Sequence, residues 1–186
     1  MSTTTLLGIC GSLRKKSLNR ALLGAVAETL PATATLVMFE GLEDIPPFNS
    51  DLPTEPAAVT AFKQAIANAD GLVIATPEYN YSIPGVLKNA LDWASRPSPS
   101  PMLGKPVGIV GCSIGMSGSM RAQYHLRQIL VYSDSPTLNQ PEVLIPRAKE
   151  RFDAEGRLID ESTVTLMRLF GAAMVRHTAR YGTVAG

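Results

Sequence analysis

The sequence is poor in cysteine and histidine and has no excess of charge of either sign. Two cysteines and two histidines occur in 186 residues, and the formal net charge is +1. So few sulfur and imidazole groups argue against a metal centre and against a disulfide framework, and they favour a reducing, cytoplasmic compartment. The near-neutral charge gives no argument for a nucleic-acid partner or for binding to an anionic membrane surface.

Long apolar runs are also missing. No stretch approaches the roughly 18 apolar residues of a transmembrane helix, and residues 1–5 carry no basic region of a signal peptide. We therefore expect no membrane partner. Apolar residues make up 45% of the chain and charged residues 18%, which is typical of a globular protein. The length predicts one domain over residues 1–186.

The chain does contain a regular alternation of apolar strands and amphipathic helices. The predicted strands are rich in Val, Ile and Leu and cover residues 5–10, 34–39, 71–76, 106–112 and 142–145. They alternate little between apolar and polar residues, which is typical of strands buried on both faces. Helical spacing predicts helices over residues 19–30, 57–69, 84–94, 121–132 and about 161–180. This order predicts an α/β fold with a parallel sheet between two helical layers.

Ligands of such sheets bind beyond the carboxyl ends of the strands, so the loops after the first, third and fourth strands are the places to search. The first loop, residues 11–19, combines the neutral donors Ser12, Ser17 and Asn19 with the charged Arg14. It leads into a helix, whose first N–H groups are unpaired and carry the positive end of the dipole, so the loop suits a phosphate. Alternatively, Ser17 only caps the helix and the basic residues form a solvated turn.

The second loop, residues 76–85, is stiffened by Pro77 and Pro84. Asn80 both donates and accepts hydrogen bonds, as the edge of a planar heterocycle requires, and Tyr79 and Tyr81 offer flat apolar surface beside it. The alternative is a rigid connection between strand and helix whose tyrosines pack on the fold.

The third loop, residues 111–119, is built from small residues that let a ligand approach the backbone closely. It also matches the G-x-S-x-G nucleophile elbow of hydrolases, with Ser113 as the nucleophile. A triad would then need His177 and one of the acids Asp134, Asp153 and Asp160. We disfavour this alternative because the next predicted helix begins late and no His-Gly-Gly-Gly segment is present.

The first two loops carry a specific pair of motifs. They are Gly11-Ser12-Leu13-Arg14-x-x-Ser17-x-Asn19 and Pro77-Glu78-Tyr79-Asn80-x-Ser82-x-Pro84-Gly85, the second of which continues to Trp93. Together they resemble the NADPH-dependent FMN reductase family, and within it the chromate and quinone reductases. The resemblance implies a flavodoxin-like three-layer fold with strand order 2-1-3-4-5. It also implies FMN as the cofactor and NADPH or NADH as the electron donor.

The resemblance further implies which residues hold the cofactor. The phosphate of FMN would be held by Ser12, Arg14, Ser17 and Asn19, and the isoalloxazine ring would be lined by Pro77, Glu78, Tyr79, Asn80, Ser113 and Gly115. No catalytic side chain is predicted, because FMN carries the chemistry.

The chromate and quinone reductase branch also implies a homo-oligomer, a dimer or a tetramer. Arg121, Tyr124 and Glu142 match residues that hydrogen-bond across a subunit contact near the flavin. The alternative for these three residues is an ordinary surface ion pair, which contributes little stability.

The function that we expect is an NAD(P)H-dependent oxidoreductase. It would reduce quinones, chromate, azo compounds or similar small acceptors by ping-pong transfer through FMN. The alternative from another class is a non-enzymatic FMN electron-transfer module, which would share the fold and the phosphate loop. A sequence pI of about 7.8 argues against such a carrier, since acidic clusters typically dock carriers onto basic partners.

Overall fold

Five parallel strands form one sheet in the computed structural model, which describes residues 3–96 and 99–182. The strand order is β2-β1-β3-β4-β5. The strands are β1 (Thr4–Cys10), β2 (Ala34–Met38), β3 (Gly71–Ala75), β4 (Val107–Cys112) and β5 (Val143–Ile145). The predicted flavodoxin-like fold class and strand order are therefore confirmed.

Helices cover both faces of the sheet. They are α1 (Leu18–Thr29), α2 (Ala57–Asn68), α3 (Gly85–Ala94), α4 (Met120–Leu130) and α5 (Glu161–Tyr181). Helices α1 and α5 pack on one face, while α2, α3 and α4 pack on the other. The predicted helix over residues 121–132 ends earlier, because the chain tightens into a 3-10 turn at Val131–Ser133. Among the described residues, no helix is long and apolar enough to cross a membrane.

Side chains of the central strands fill both cores. Leu72 and Ile74 of β3 face α2 and α3, whereas Val73 and Ala75 face α1 and α5. Successive side chains of a strand point to opposite faces, so a strand between two helical layers needs apolar residues at every position. The predicted burial on both faces is confirmed for β3 and β4, whose residues are all buried.

The same prediction is wrong for β2. Thr35 and Val37 are exposed, Val37 by 54%. The reason is the position of β2 at the edge of the sheet, where no helix covers the outer face of its odd-numbered residues. The apolar run of β2 therefore predicted more burial than the structure shows.

Close packing of β4 depends on a residue without a side chain. A Cβ added to Gly111 would meet the backbone oxygen of Thr76 at 2.7 Å and Nε2 of Gln123 at 2.8 Å, and it would also collide with Oγ of Ser119. We therefore expect Gly111→Ala to lower the free energy of unfolding by about 1–3 kcal/mol, measured by urea denaturation.

Gly24 is the matched control for this substitution. It lies inside α1, and an added Cβ would meet nothing within 4 Å. Gly24→Ala should raise the free energy of unfolding by about 0.5–1 kcal/mol, because alanine is the better helix former. Equal effects of the two substitutions would contradict the packing described for Gly111.

Candidate active site

Two of the predicted phosphate ligands lie at the N-terminus of α1. Ser17 is the N-cap residue, and its Oγ accepts a hydrogen bond from N of Arg20 at 3.3 Å. Oγ of Ser12 accepts a hydrogen bond from N of Arg14 at 3.4 Å. Both serines are buried, so their hydroxyl groups are held beside the positive end of the helix. Such a helix end is suited to an anion.

Asn19, the second residue of α1, is engaged elsewhere. Its Nδ2 donates to the carbonyl oxygen of Cys112 at 3.1 Å, and its Oδ1 accepts from N of Cys112 at 3.0 Å. Only the second hydrogen of Nδ2 is then left for a ligand. The contact of Asn19 with a phosphate stays a prediction.

The second loop contains a tight turn that sequence reasoning missed. N of Tyr79 donates to O of Ser82 at 2.9 Å, and N of Ser82 donates to O of Tyr79 at 3.0 Å. The two central residues, Asn80 and Tyr81, both have positive φ, 50° and 68°. This is the pattern of a type I′ turn, which Asn tolerates and Tyr adopts at a cost of about 1 kcal/mol.

Helix α4 holds this turn in place. The guanidinium of Arg121 lies 3.9 Å from the centre of the Tyr81 ring, which is a cation–π contact. One residue further along the turn, Oγ of Ser82 lies 2.8 Å from Nδ1 of His125. The cation–π contact of Tyr81 and the hydrogen bond of Ser82 thus offset the backbone strain of the turn.

Glu78 carries a buried carboxylate, and Arg121 neutralises it. Its Oε2 accepts from N of Arg121 at 3.1 Å, and its Oε1 accepts from Nε of the same residue at 2.5 Å. The Glu78 side chain is 7% exposed, so an unpaired charge there would be costly. These hydrogen bonds also raise the pKa of Arg121.

Within one chain, the predicted subunit network is divided into two pairs. Arg121 pairs with Glu78, while the hydroxyl of Tyr124 donates to Oε1 of Glu142 at 3.1 Å. The Glu142 carboxylate raises the pKa of Tyr124, since ionisation of the phenol would break this hydrogen bond. A version of the network that crosses between subunits stays a prediction.

The third loop is folded by Ser113. Its Oγ donates to O of Gly115 at 3.2 Å and accepts from N of Gly118 at 3.1 Å. The hydroxyl is therefore occupied by its own loop.

The hydrolase alternative is wrong, because the geometry separates its residues. Nε2 of His177 lies 2.9 Å from O of Pro136, which also accepts from N of Val107 at the start of β4. Ser113 follows the last residue of the same strand. A strand rises about 3.3 Å per residue, so six residues put roughly 20 Å between His177 and Ser113.

The loops surround a cavity of about 260 Å³ at the carboxyl edge of the sheet. It is lined by Ser12, Arg14, Ser17, Leu18, Asn19, Pro77, Glu78, Tyr79, Cys112, Ser113 and Ile114. The structure thus brings together eight of the ten residues predicted to hold the cofactor. Asn80 and Gly115 do not line this cavity, and their contacts with a cofactor stay predictions.

A second, more open hollow of about 470 Å³ shares Arg14 and Tyr79 with the cavity. Its other lining residues are mostly apolar and are Gly11, Leu13, Pro84, Gly85 and Val86. Polar donors therefore lie at one end of the site and flat apolar surface at the other.

Both thiols of the chain are buried, and burial favours their protonated form. Burial raises the pKa of Cys112 to about 12, and burial also raises the pKa of Cys10. A neutral thiol is a poor nucleophile and a poor metal ligand. Among the described residues, no group of three or more side chains could hold a metal ion.

The comparison with known proteins identifies the family. Residues 4–150 match the family model of NADPH-dependent FMN reductase. The chain belongs to this family. An NAD(P)H-dependent FMN reductase of Pseudomonas aeruginosa is 48% identical over 164 residues, which cover 87% of this chain and 88% of the relative. A quinone reductase of Escherichia coli is 46% identical over 164 residues and covers 84% of this chain and 85% of its own length.

A solved structure agrees with this FMN reductase assignment. It is FerB, a flavoenzyme NAD(P)H:(acceptor) oxidoreductase of Paracoccus denitrificans, with a TM-score of 0.89 and 32% identity, covering 96% of this chain and 99% of that one. The predicted family, the oxidoreductase class and FMN with NAD(P)H as its electron donor are thereby confirmed.

The cavity of this FMN reductase fits a phosphate-bearing planar cofactor. Ser12 and Ser17 offer buried hydroxyl groups beside the N-terminus of α1, and Arg14 adds a positive charge at the cavity wall. Glu78, the one carboxylate among the lining residues, is neutralised by Arg121 and does not repel a phosphate. Tyr79 and Pro77 provide the flat walls that a ring needs.

We expect Arg14→Gln to raise the Kd of FMN roughly tenfold, because a charge-assisted hydrogen bond to the phosphate is lost. The Kd is measured by quenching of flavin fluorescence. Riboflavin, which has no phosphate, is the control ligand, and its Kd should stay within about twofold. Equal weakening of both flavins would show that Arg14 does not contact the phosphate.

Proposed function

We propose that this FMN reductase transfers electrons from NADPH or NADH to small quinones. The names of the Escherichia coli and Paracoccus denitrificans relatives support a quinone or similar acceptor. The observation that carries the proposal is the open, mostly apolar hollow beside the phosphate end of the cavity. Its walls at Leu13, Pro84 and Val86 suit flat, weakly polar molecules.

The described side chains supply binding and charge compensation. FMN, when bound, supplies the hydride and electron chemistry. The N-terminus of α1 would stabilise the negative charge of the phosphate, and Tyr79 and Asn80 would lie nearest the ring. Of the ionisable groups that line the cavity, Glu78 is engaged by Arg121 and Cys112 is protonated. We therefore assign neither of them as a general base.

We further propose a ping-pong order of substrates. Arg14 and Tyr79 line both hollows, so the two hollows adjoin, and together they are called the cleft. A nicotinamide and an acceptor that both approach through this cleft would have to use it in turn. Chromate and azo compounds are further acceptors that such an open cleft would admit.

The domain organisation and the location of the protein are also part of the proposal. We propose that residues 1–186 form one domain, which the participation of all five strands in one sheet supports. Residues 1–2, 97–98 and 183–186 of this predicted domain lie outside the described residues. We also propose a reducing, cytoplasmic location, which the low cysteine content favours.

Anaerobic mixing of the FMN-loaded protein with NADPH or NADH tests the enzymatic function. We expect the visible flavin absorbance to fall and to return when a simple benzoquinone is added. Free FMN with the same nicotinamide is the control. A loaded protein that stays oxidised would instead be an electron-transfer module that needs a separate reductase, and a protein that cannot be loaded would contradict the cofactor assignment.

A homo-oligomer, a dimer or a tetramer, is proposed through the face that contains α4. Three large apolar side chains near this helix are mostly exposed: Tyr81 by 72%, Val131 by 76% and Tyr132 by 72%. A groove of about 250 Å³ lies near the C-terminal end of α4 and is lined in part by Leu91, Ile129 and Tyr132. Exposed apolar side chains along one face are typical of interaction surfaces. Arg121, Tyr124 and Glu142 lie on or next to this face and would join the contact.

Light scattering after gel filtration measures the assembly. We expect a dimer or tetramer for the native chain and a smaller species for Val131→Glu, because the substitution places a charge in an apolar contact. Leu169→Glu is the control, since Leu169 is 58% exposed on α5, on the other side of the sheet. A monomeric native chain, or equal effects of both substitutions, would contradict this interface.

A further inference from the structure

Cys112 is the last residue of β4, and its backbone N–H and C=O groups bond to a side chain and not to a neighbouring strand. The direction of these groups follows from the next residue. N of Ser113 donates to O of Ile145 at 3.0 Å, and O of Ser113 accepts from N of Ala148 at 2.9 Å, so the peptide groups of Ser113 face β5. Alternate residues of a strand bond to opposite neighbours. The peptide groups of Cys112 therefore face β3.

On that side, β3 is no longer available. The last rung between these strands is the hydrogen bond from N of Thr76 to O of Val110, at 3.0 Å. The next residue, Pro77, leads the chain away into the turn at residues 79–82, so no further rung to β4 follows. The N–H and C=O groups of Cys112, which are buried, would lack partners at this point.

The side chain of Asn19 takes the place of the missing strand residue. A primary amide carries a donor and an acceptor, as a peptide group does, and Asn19 uses both on Cys112 at 3.1 and 3.0 Å. Asn19 is itself 5% exposed. It belongs to the first turn of α1, two residues after the N-cap Ser17.

The contact between Asn19 and Cys112 joins two of the segments that line the cavity. Ser17 and Ser113 both line the cavity; Ser17 lies two residues before Asn19, and Ser113 directly follows Cys112. The span between the N-terminus of α1 and the loop after β4 is therefore fixed by one buried amide.

We propose that Asn19 is a positioning residue that sets the width of the flavin cavity by substituting for β3 at Cys112. This inference rests on the proposed function only in assuming that FMN occupies the cavity. The role is distinct from that of a phosphate ligand, because the side-chain oxygen and one amide hydrogen of Asn19 are hydrogen-bonded to the backbone of Cys112 in β4. Loss of the amide should displace the loop at Ser113 and weaken contacts to every part of the cofactor.

The test compares FMN with riboflavin in the variant Asn19→Leu, which has a similar volume and no hydrogen-bonding group. We expect the Kd of both flavins to rise by a similar factor of about ten, because two buried peptide groups of Cys112 lose their partner. Arg14→Gln, which should weaken FMN alone, calibrates the loss of a phosphate contact. Asn68→Leu is the matched control, since Asn68 is the exposed last residue of α2, at the opposite edge of the sheet.

Each other outcome has a separate meaning. A higher Kd for FMN with an unchanged Kd for riboflavin would make Asn19 a phosphate ligand and overturn the inference. Unchanged Kd values together with a lower free energy of unfolding would reduce Asn19 to a stabilising residue and would also overturn it. If Asn19→Leu does not fold, Asn19→Ser is measured instead, with the same parallel loss expected. FMN binding by the native chain is measured before any variant. Failure of the native chain to bind FMN would contradict the cofactor assignment.

Discussion

The geometry of the site depends on where β3 stops pairing. Between Gly71 and Ala75 this strand bonds to β1 and β4 on either side, and the sheet is continuous. Beyond the hydrogen bond from N of Thr76 to O of Val110, the chain turns away from β4 at Pro77 and enters the turn at residues 79–82. The strands on either side consequently separate from their shared neighbour at the same level, and a crevice opens beyond their carboxyl ends. The three loops gather around this crevice because the strand between two of them has ended.

Charge in the crevice is arranged by pairs that are distant in sequence. Glu78 would place an uncompensated carboxylate in the cavity, but Arg121 from α4 binds it through both its backbone N–H and its guanidinium. The same guanidinium packs on Tyr81 and supports a left-handed backbone. One residue of α4 therefore fixes both the electrostatics and the conformation of the second loop.

The sequence predicted the strands, the helices and most of the residues that line the cavity, for identifiable reasons. Apolar runs in β3 and β4 reflect burial on both faces, which is a local property of the chain. The strand order came only from the resemblance to a family, since periodicity carries no information about neighbours. The error at β2 has the same origin, because an edge position is a property of the sheet. Contacts such as that of Asn19 with Cys112, 93 residues apart, could not be read from spacing.

The two buried thiols have a consequence for the chemistry that the protein would handle. Quinones are electrophiles that add to thiolates, and only the ionised form of a cysteine reacts at a useful rate. Burial raises the pKa of Cys112 to about 12, which favours the protonated thiol at neutral pH. Although Cys112 lines the cavity, only 2% of the residue is exposed. An enzyme that passes quinones through this cleft would therefore be protected from alkylation by its own substrates.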